Sequence, residues 1–138
     1  MHTGLLLDTH AALWVANSEP VSEEAVAAFK DAADRALPVL VSPITAWEIG
    51  MLVARNRISL AVSPLDWFNR LLKLGGVELA AMPPSVLVAS NFLPGEPPRD
   101  PADRIIAATA REGSYQLVTR DRELLSYAEV GHLRAIRC

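Results

Sequence analysis

Cysteine is almost absent: Cys138 is the only one in 138 residues. A single thiol excludes intrachain disulfides and zinc held by several thiolates, and it points to a reducing compartment such as the cytoplasm. Lysine is scarce too, limited to Lys30 and Lys73, and 13 Lys+Arg against 16 Asp+Glu leave a formal charge of −3. A non-specific nucleic-acid coat holds phosphates with surplus Lys and Arg, so that class is excluded. An enzyme whose acids hold metal is not, because a bound cation reverses the local charge. No apolar stretch approaches the roughly 20 uncharged residues of a membrane span. The run Leu5 to Leu7 is cut by Asp8 and preceded by no Lys or Arg, so no signal peptide is expected. Repeats of fixed period and low-complexity segments are lacking as well.

What remains is 51% hydrophobic and 21% charged, too apolar for a disordered chain. A chain of this size buries on the order of 70% of its unfolded surface, so residues 1–138 are expected to form a single domain. Short apolar runs at Gly4 to Leu7, Leu37 to Val41, Val77 to Ala81, Gln116 to Thr119 and Leu133 to Ile136 read as five strands. Their near-continuous apolar character suits a sheet covered on both faces. Helices are expected from Ser22, as N-cap, to Asp34 and from Pro43 to about Arg55. Others should run from Ser63 and Pro64 through Leu74 to the stop at Gly75 and Gly76, from Pro84 to Asn91, and from Asp100 and Pro101 to Gly113. Alternating strand and helix predicts an α/β fold, three layers α/β/α around a mainly parallel sheet with right-handed crossovers. Sites in such sheets lie beyond the carboxyl ends of the strands, where strand order reverses.

Acids stand where that rule looks for them. Asp8 ends the first strand and Asp121 follows the fourth, although a turn or helix-cap role explains either one alone. Glu48 lies in the apolar stretch Ile44 to Met51 with Leu52 at i+4, so no local ion pair accounts for it; a solvated helix position is the plain alternative. Asp100 and Asp103 share a face at a helix start, where the macrodipole favours anions and capping alone suffices for both.

The segments LLLDTHAALW, ITAWEIGMLVARNRISL, RDPADRIIAATA and LVTRDREL, in this order, resemble the PIN-domain family and within it the VapC-type toxin ribonucleases. The likeness runs from Leu5 to about Leu125, while the last dozen residues match weakly. It implies a PIN-like, Rossmann-like fold and a four-acid site carried over by position to Asp8, Glu48, Asp103 and Asp121. Asp103 is taken over Asp100 because family members lacking the Asp-Pro form keep an Asp directly before the Ile-Ala-Ala-Thr-Ala-like run. Asp100 is then a cap or an outer group. Thr9 and Thr119 match too, as partners of neighbouring carboxylates.

The resemblance further implies hydrolysis of RNA phosphodiester bonds with Mg²⁺ or Mn²⁺, a homodimer, and a small cognate antitoxin lying across the acidic groove. Oxygen-only ligands suit these hard cations. Arg99, Arg104, Arg120 and Arg122 flank the acids and are expected either to steer RNA phosphates or to pair with surface acids. Trp14, Trp47 and Trp67 are expected in the core or a dimer contact, and His2, His10 and His132 have no role assigned. A haloacid-dehalogenase-like phosphatase would need an acid where His10 stands. A receiver domain would need paired acids near the first strand, and flap-type nucleases carry long insertions. A catalytically silent PIN-like module that binds RNA or protein is the non-enzymatic alternative.

Overall fold

The structure is a computed structural model, and it describes residues 2–138. Five strands, β1 (Leu5–Leu7), β2 (Val39–Val41), β3 (Val77–Leu79), β4 (Gln116–Thr119) and β5 (Arg134–Arg137), form one parallel sheet in the order β3-β2-β1-β4-β5. Seven helices connect them: α1 (Thr9–Ala16) and α2 (Glu23–Asp34) between β1 and β2, α3 (Pro43–Ala54) and α4 (Pro64–Leu71) before β3, α5 (Pro84–Ala89) and α6 (Pro101–Gly113) before β4, and α7 (Arg122–Glu129) before β5.

Period-two alternation splits each strand between two cores. Leu5, Leu7, Val41 and Val118 face one side and pack with Ala11, Ala32, Ile49, Trp67 and Leu71 from α1 to α4. Leu6, Leu40 and Leu117 face the other, against Ile106, Ala107, Ala110, Leu124 and Tyr127 from α6 and α7. Leu5, Leu6 and Leu7 are each fully buried, which is why the strands read as continuous rather than alternating. The α/β/α layering expected from the order of elements is the one found.

Edges differ from the sequence reading where pairing decides them. Gly4, Leu37, Pro38, Ala80 and Ala81 fall outside the strands, and β5 begins one residue later than expected. The fourth helix stops at Leu71 rather than reaching Leu74. Two eight-residue helices, α1 and α7, have no assigned bounds in the sequence reading; at two turns each they are too short to establish a period. Their N-caps are Asp8 and Asp121.

The chain passes from β1 outward to β3, then returns across the sheet to β4 on the other side of β1. The order therefore reverses beside β1, and the carboxyl ends of β1 and β4 border the resulting crevice. Among the described residues, no helix is long and apolar enough to cross a membrane.

The tryptophans separate. Trp67 is 8% exposed in the core, Trp14 packs half-buried against it, and Trp47 is 60% exposed and so is not a core residue of this chain. Leu6→Ala should cost about 2–5 kcal/mol of stability, because it opens a cavity in the central strand. Leu65→Gln, at a position 67% exposed, should stay within about 0.5 kcal/mol of the parent. Urea unfolding of the two variants checks both.

Candidate active site

Asp8 leaves β1 and caps α1, its Oδ1 accepting from the Ala11 N–H at 2.7 Å. Its Oδ2 accepts from the hydroxyl of Thr119, the last residue of β4. That hydroxyl also accepts from the Asp121 N–H at 2.9 Å, so one buried threonine bridges the two strand-end acids. Asp121 in turn caps α7, with Oδ1 accepting from the N–H groups of Glu123 at 3.1 Å and Leu124 at 3.3 Å. The capping explanation and the site explanation for these aspartates therefore coexist: the helix starts hold the carboxylates at the sheet's rim.

Glu48 reaches the rim from α3. Pro43 at the first turn and the Ser42 cap start that helix directly after β2. The Thr9 hydroxyl donates to Glu48 Oε1 at 2.5 Å and contacts the Thr45 hydroxyl at 3.2 Å. Asp100 caps α6 and accepts from the Asp103 N–H at 3.0 Å. Asp100 is exposed and Asp103 half-buried.

The electrostatics tie these residues into one group. Burial pushes the Asp103 carboxyl up to about 8, and the charges of Asp100, Asp121, Glu48 and Asp8 add to that push. Burial is also the main cause raising Asp8 and Glu48, against the lowering effect of the Thr119 and Thr9 hydrogen bonds respectively. His10, exposed at the start of α1, lowers both of these acids when it is charged. Among the described residues, no salt bridge reaches any of the five acids; the recorded pair is Arg35 with Asp31 at 3.0 Å on the surface.

The flanking arginines have other work. Arg104 donates to the carbonyls of Ser90 at 3.1 Å and Pro98 at 2.9 Å, bracing the segment before α6. Arg120 donates to the Cys138 carbonyl at 2.6 Å and lies 3.9 Å from the centre of the Trp14 ring. For these two, backbone bracing replaces both expected roles. Arg99 and Arg122 are exposed.

An all-oxygen, uncompensated donor set suits a hard dication. As placed, however, no three His, Cys, Asp or Glu side chains among the described residues converge as a ready metal cage. The fit is thus one of donor chemistry and charge. A cleft of about 480 Å³ between residues 96–98 and α7 borders Arg122 but none of the five acids.

Two contributors escaped the sequence reading. Thr45 carries a signal in its i, i+3 spacing to Glu48, which puts both on one helix face. His10 lacks metal-ligand spacing, and that spacing says nothing about proximity to an acid two residues away.

The PIN domain family model matches residues 5–130. A relative from Mycobacterium tuberculosis (strain ATCC 25618 / H37Rv), named Ribonuclease VapC22, is 38% identical over 125 residues, covering 91% of this chain and 92% of its own. Two similar solved structures are VapBC2 from Rickettsia felis bound to a DNA fragment from their promoter and DNA-bound VapBC from Salmonella typhimurium. The first has a TM-score of 0.66 at 14% identity, covering 96% of this chain and 97% of that one. The second has a TM-score of 0.64 at 20% identity, covering 99% and 98%. With the family model spanning residues 5–130 and a relative 38% identical over 91% of its length, the chain belongs to the PIN-domain family.

Proposed function

We propose that this protein is a divalent-metal-dependent endoribonuclease, the toxin of a VapBC-type toxin–antitoxin module acting in the cytoplasm. The observation that supports the reading is the mutual electrostatic influence of acids from four separate segments, with burial and the charges of the other acids lifting Asp103 to about 8. The 38% identity to a relative named a ribonuclease supports RNA as substrate.

Asp8, Glu48, Asp103 and Asp121 would hold Mg²⁺ or Mn²⁺, with Asp100 outside them. Fully ionised, the four carry −4 and would repel a phosphodiester; one dication leaves −2 and two leave zero. When bound, the metal supplies charge neutralisation and Lewis-acid polarisation of the phosphoryl group. The carboxylates do the remaining work: they orient the attacking water in line with the scissile bond and accept its proton. Thr119 keeps Asp8 and Asp121 in register, and Arg99 and Arg122 are free to meet phosphates.

Partners follow from the same surface. The structural relatives are VapBC complexes, and an antitoxin Arg or Lys entering the acidic groove would compete with metal and RNA there. A homodimer would use the exposed apolar residues Trp47, Val88 and Phe92 on α3, α5 and the turn after it.

Purified protein should cut mixed RNA with Mg²⁺ or Mn²⁺ and stop in EDTA. Asp8→Asn should lower the rate about 100-fold or more, since a misplaced dication forfeits several kcal/mol of transition-state stabilisation. Absence of any metal-dependent cutting by the parent would favour the silent binding module instead.

The raised carboxyls also set a sign for stability. Between the unfolded value near 3.8 and the folded value of about 8, the native state binds a proton at Asp103 that the unfolded chain has lost. Stability in EDTA should therefore fall as pH rises from about 4 to 8 and level off above. Asp103→Asn should flatten that fall, as read from urea midpoints across the range. Added Mn²⁺ should raise the melting temperature more at pH 8 than at pH 5, because protons compete for the same oxygens.

A further inference from the structure

Thr9 has one hydroxyl proton, and it is given to Glu48 Oε1 at 2.5 Å. The second contact of Thr9 Oγ1, with Thr45 Oγ1 at 3.2 Å, must then have Thr45 as donor. The chain of bonds has a direction, from Thr45 through Thr9 to Glu48. Thr45 is wholly buried and Thr9 is 4% exposed, so bulk water does not replace the bond between the two hydroxyls. Thr45 stands one turn before Glu48 on α3, while Thr9 opens α1, so the path leaves one helix and returns to it through another.

We propose that Thr45 is a positioning residue for Glu48, acting through Thr9. By donating into Thr9 Oγ1 it polarises the outgoing O–H and strengthens the bond to the carboxylate. It also fixes the Thr9 hydroxyl in the one rotation that aims at Glu48. Without it, that hydroxyl keeps its proton but loses its orientation, and the long Glu48 side chain regains freedom. This mirrors the way outer hydrogen bonds hold inner ligands at metal sites generally. The inference rests on the reading that Glu48 serves the nuclease site.

The test compares Thr45→Val, Thr45→Ser, Thr9→Val and the Thr45→Val/Thr9→Val double variant. Initial rates on a fluorogenic single-stranded RNA of randomised sequence give kcat and KM. Calorimetric titration with Mn²⁺ alone gives a readout free of turnover, and melting in EDTA checks folding. Thr45→Val should lower kcat about 10-fold with KM unchanged and weaken Mn²⁺ binding by a similar factor. Thr45→Ser should restore both, and the double variant should be no worse than Thr9→Val alone. Parent-like kcat and Mn²⁺ affinity in Thr45→Val, failure of Thr45→Ser to restore them, or multiplying losses in the double variant would overturn the proposal. Should Thr45→Val fail to fold, Thr45→Ala carries the same comparison. A parent protein that neither cuts RNA nor binds Mn²⁺ would fell the nuclease reading itself, an outcome separable from a parent that does both while Thr45→Val behaves identically.

Discussion

Thr119 ties the two strand-end acids together, donating its hydroxyl to the Asp8 carboxylate and accepting from the Asp121 backbone N–H. Like charges at one rim repel, and hydrogen bonds to the carboxylates together with the helix starts work against that repulsion. Asp8 has the Ala11 N–H, the Thr119 hydroxyl and the start of α1; Asp121 has two N–H groups and the start of α7. Asp103 has no comparable set of side-chain donors recorded and feels four other acids. Burial first, and then those four charges, push its carboxyl up to about 8.

This arrangement depends on very short strands. Strands of three and four residues, β1 and β4, turn into helices within one or two residues, so an acid at the strand end is also an acid at a helix N-cap. The first strand, buried on both faces by Leu5, Leu6 and Leu7, cannot shift without exposing core. Its neighbour β4 is locked to it residue by residue, Leu7 opposite Val118. The rim inherits that precision, and a loop-borne cluster of like charges would simply spread.

Much of this was legible in the residues. Apolar runs gave all five strands near their observed places because burial on both faces writes itself as unbroken hydrophobicity, and the Ser22, Pro43, Pro64 and Pro101 starts declared themselves through capping and N1 chemistry. The two-turn helices α1 and α7 did not, since eight residues barely sample a helical period. Nor did the bracing by Arg104 and Arg120. Their partners are the backbone carbonyls of Ser90, Pro98 and Cys138, and a carbonyl has no side-chain signature. Charge proximity in sequence suggested acids or phosphates as partners, but the guanidinium went to main-chain oxygens that the fold would otherwise have left bare.

The commitment of these two arginines to the main chain bears on the site. With Arg104 and Arg120 committed to backbone, the acids receive no Lys or Arg salt bridge among the described residues, and the charge of His10 acts on Asp8 and Glu48 but is not among the causes at Asp103. Neutralisation must then come from protons or from outside. Protons, an external dication and a basic side chain of a partner would all be drawn to the same oxygens, and each would reduce the affinity for the others by the same coupling free energy that they impose in return. Under the proposed reading, inhibition by an antitoxin would need no displacement of structure in this chain. Occupancy of the acids by a fixed positive charge is sufficient, because the same vacancy of charge that admits the metal admits the inhibitor.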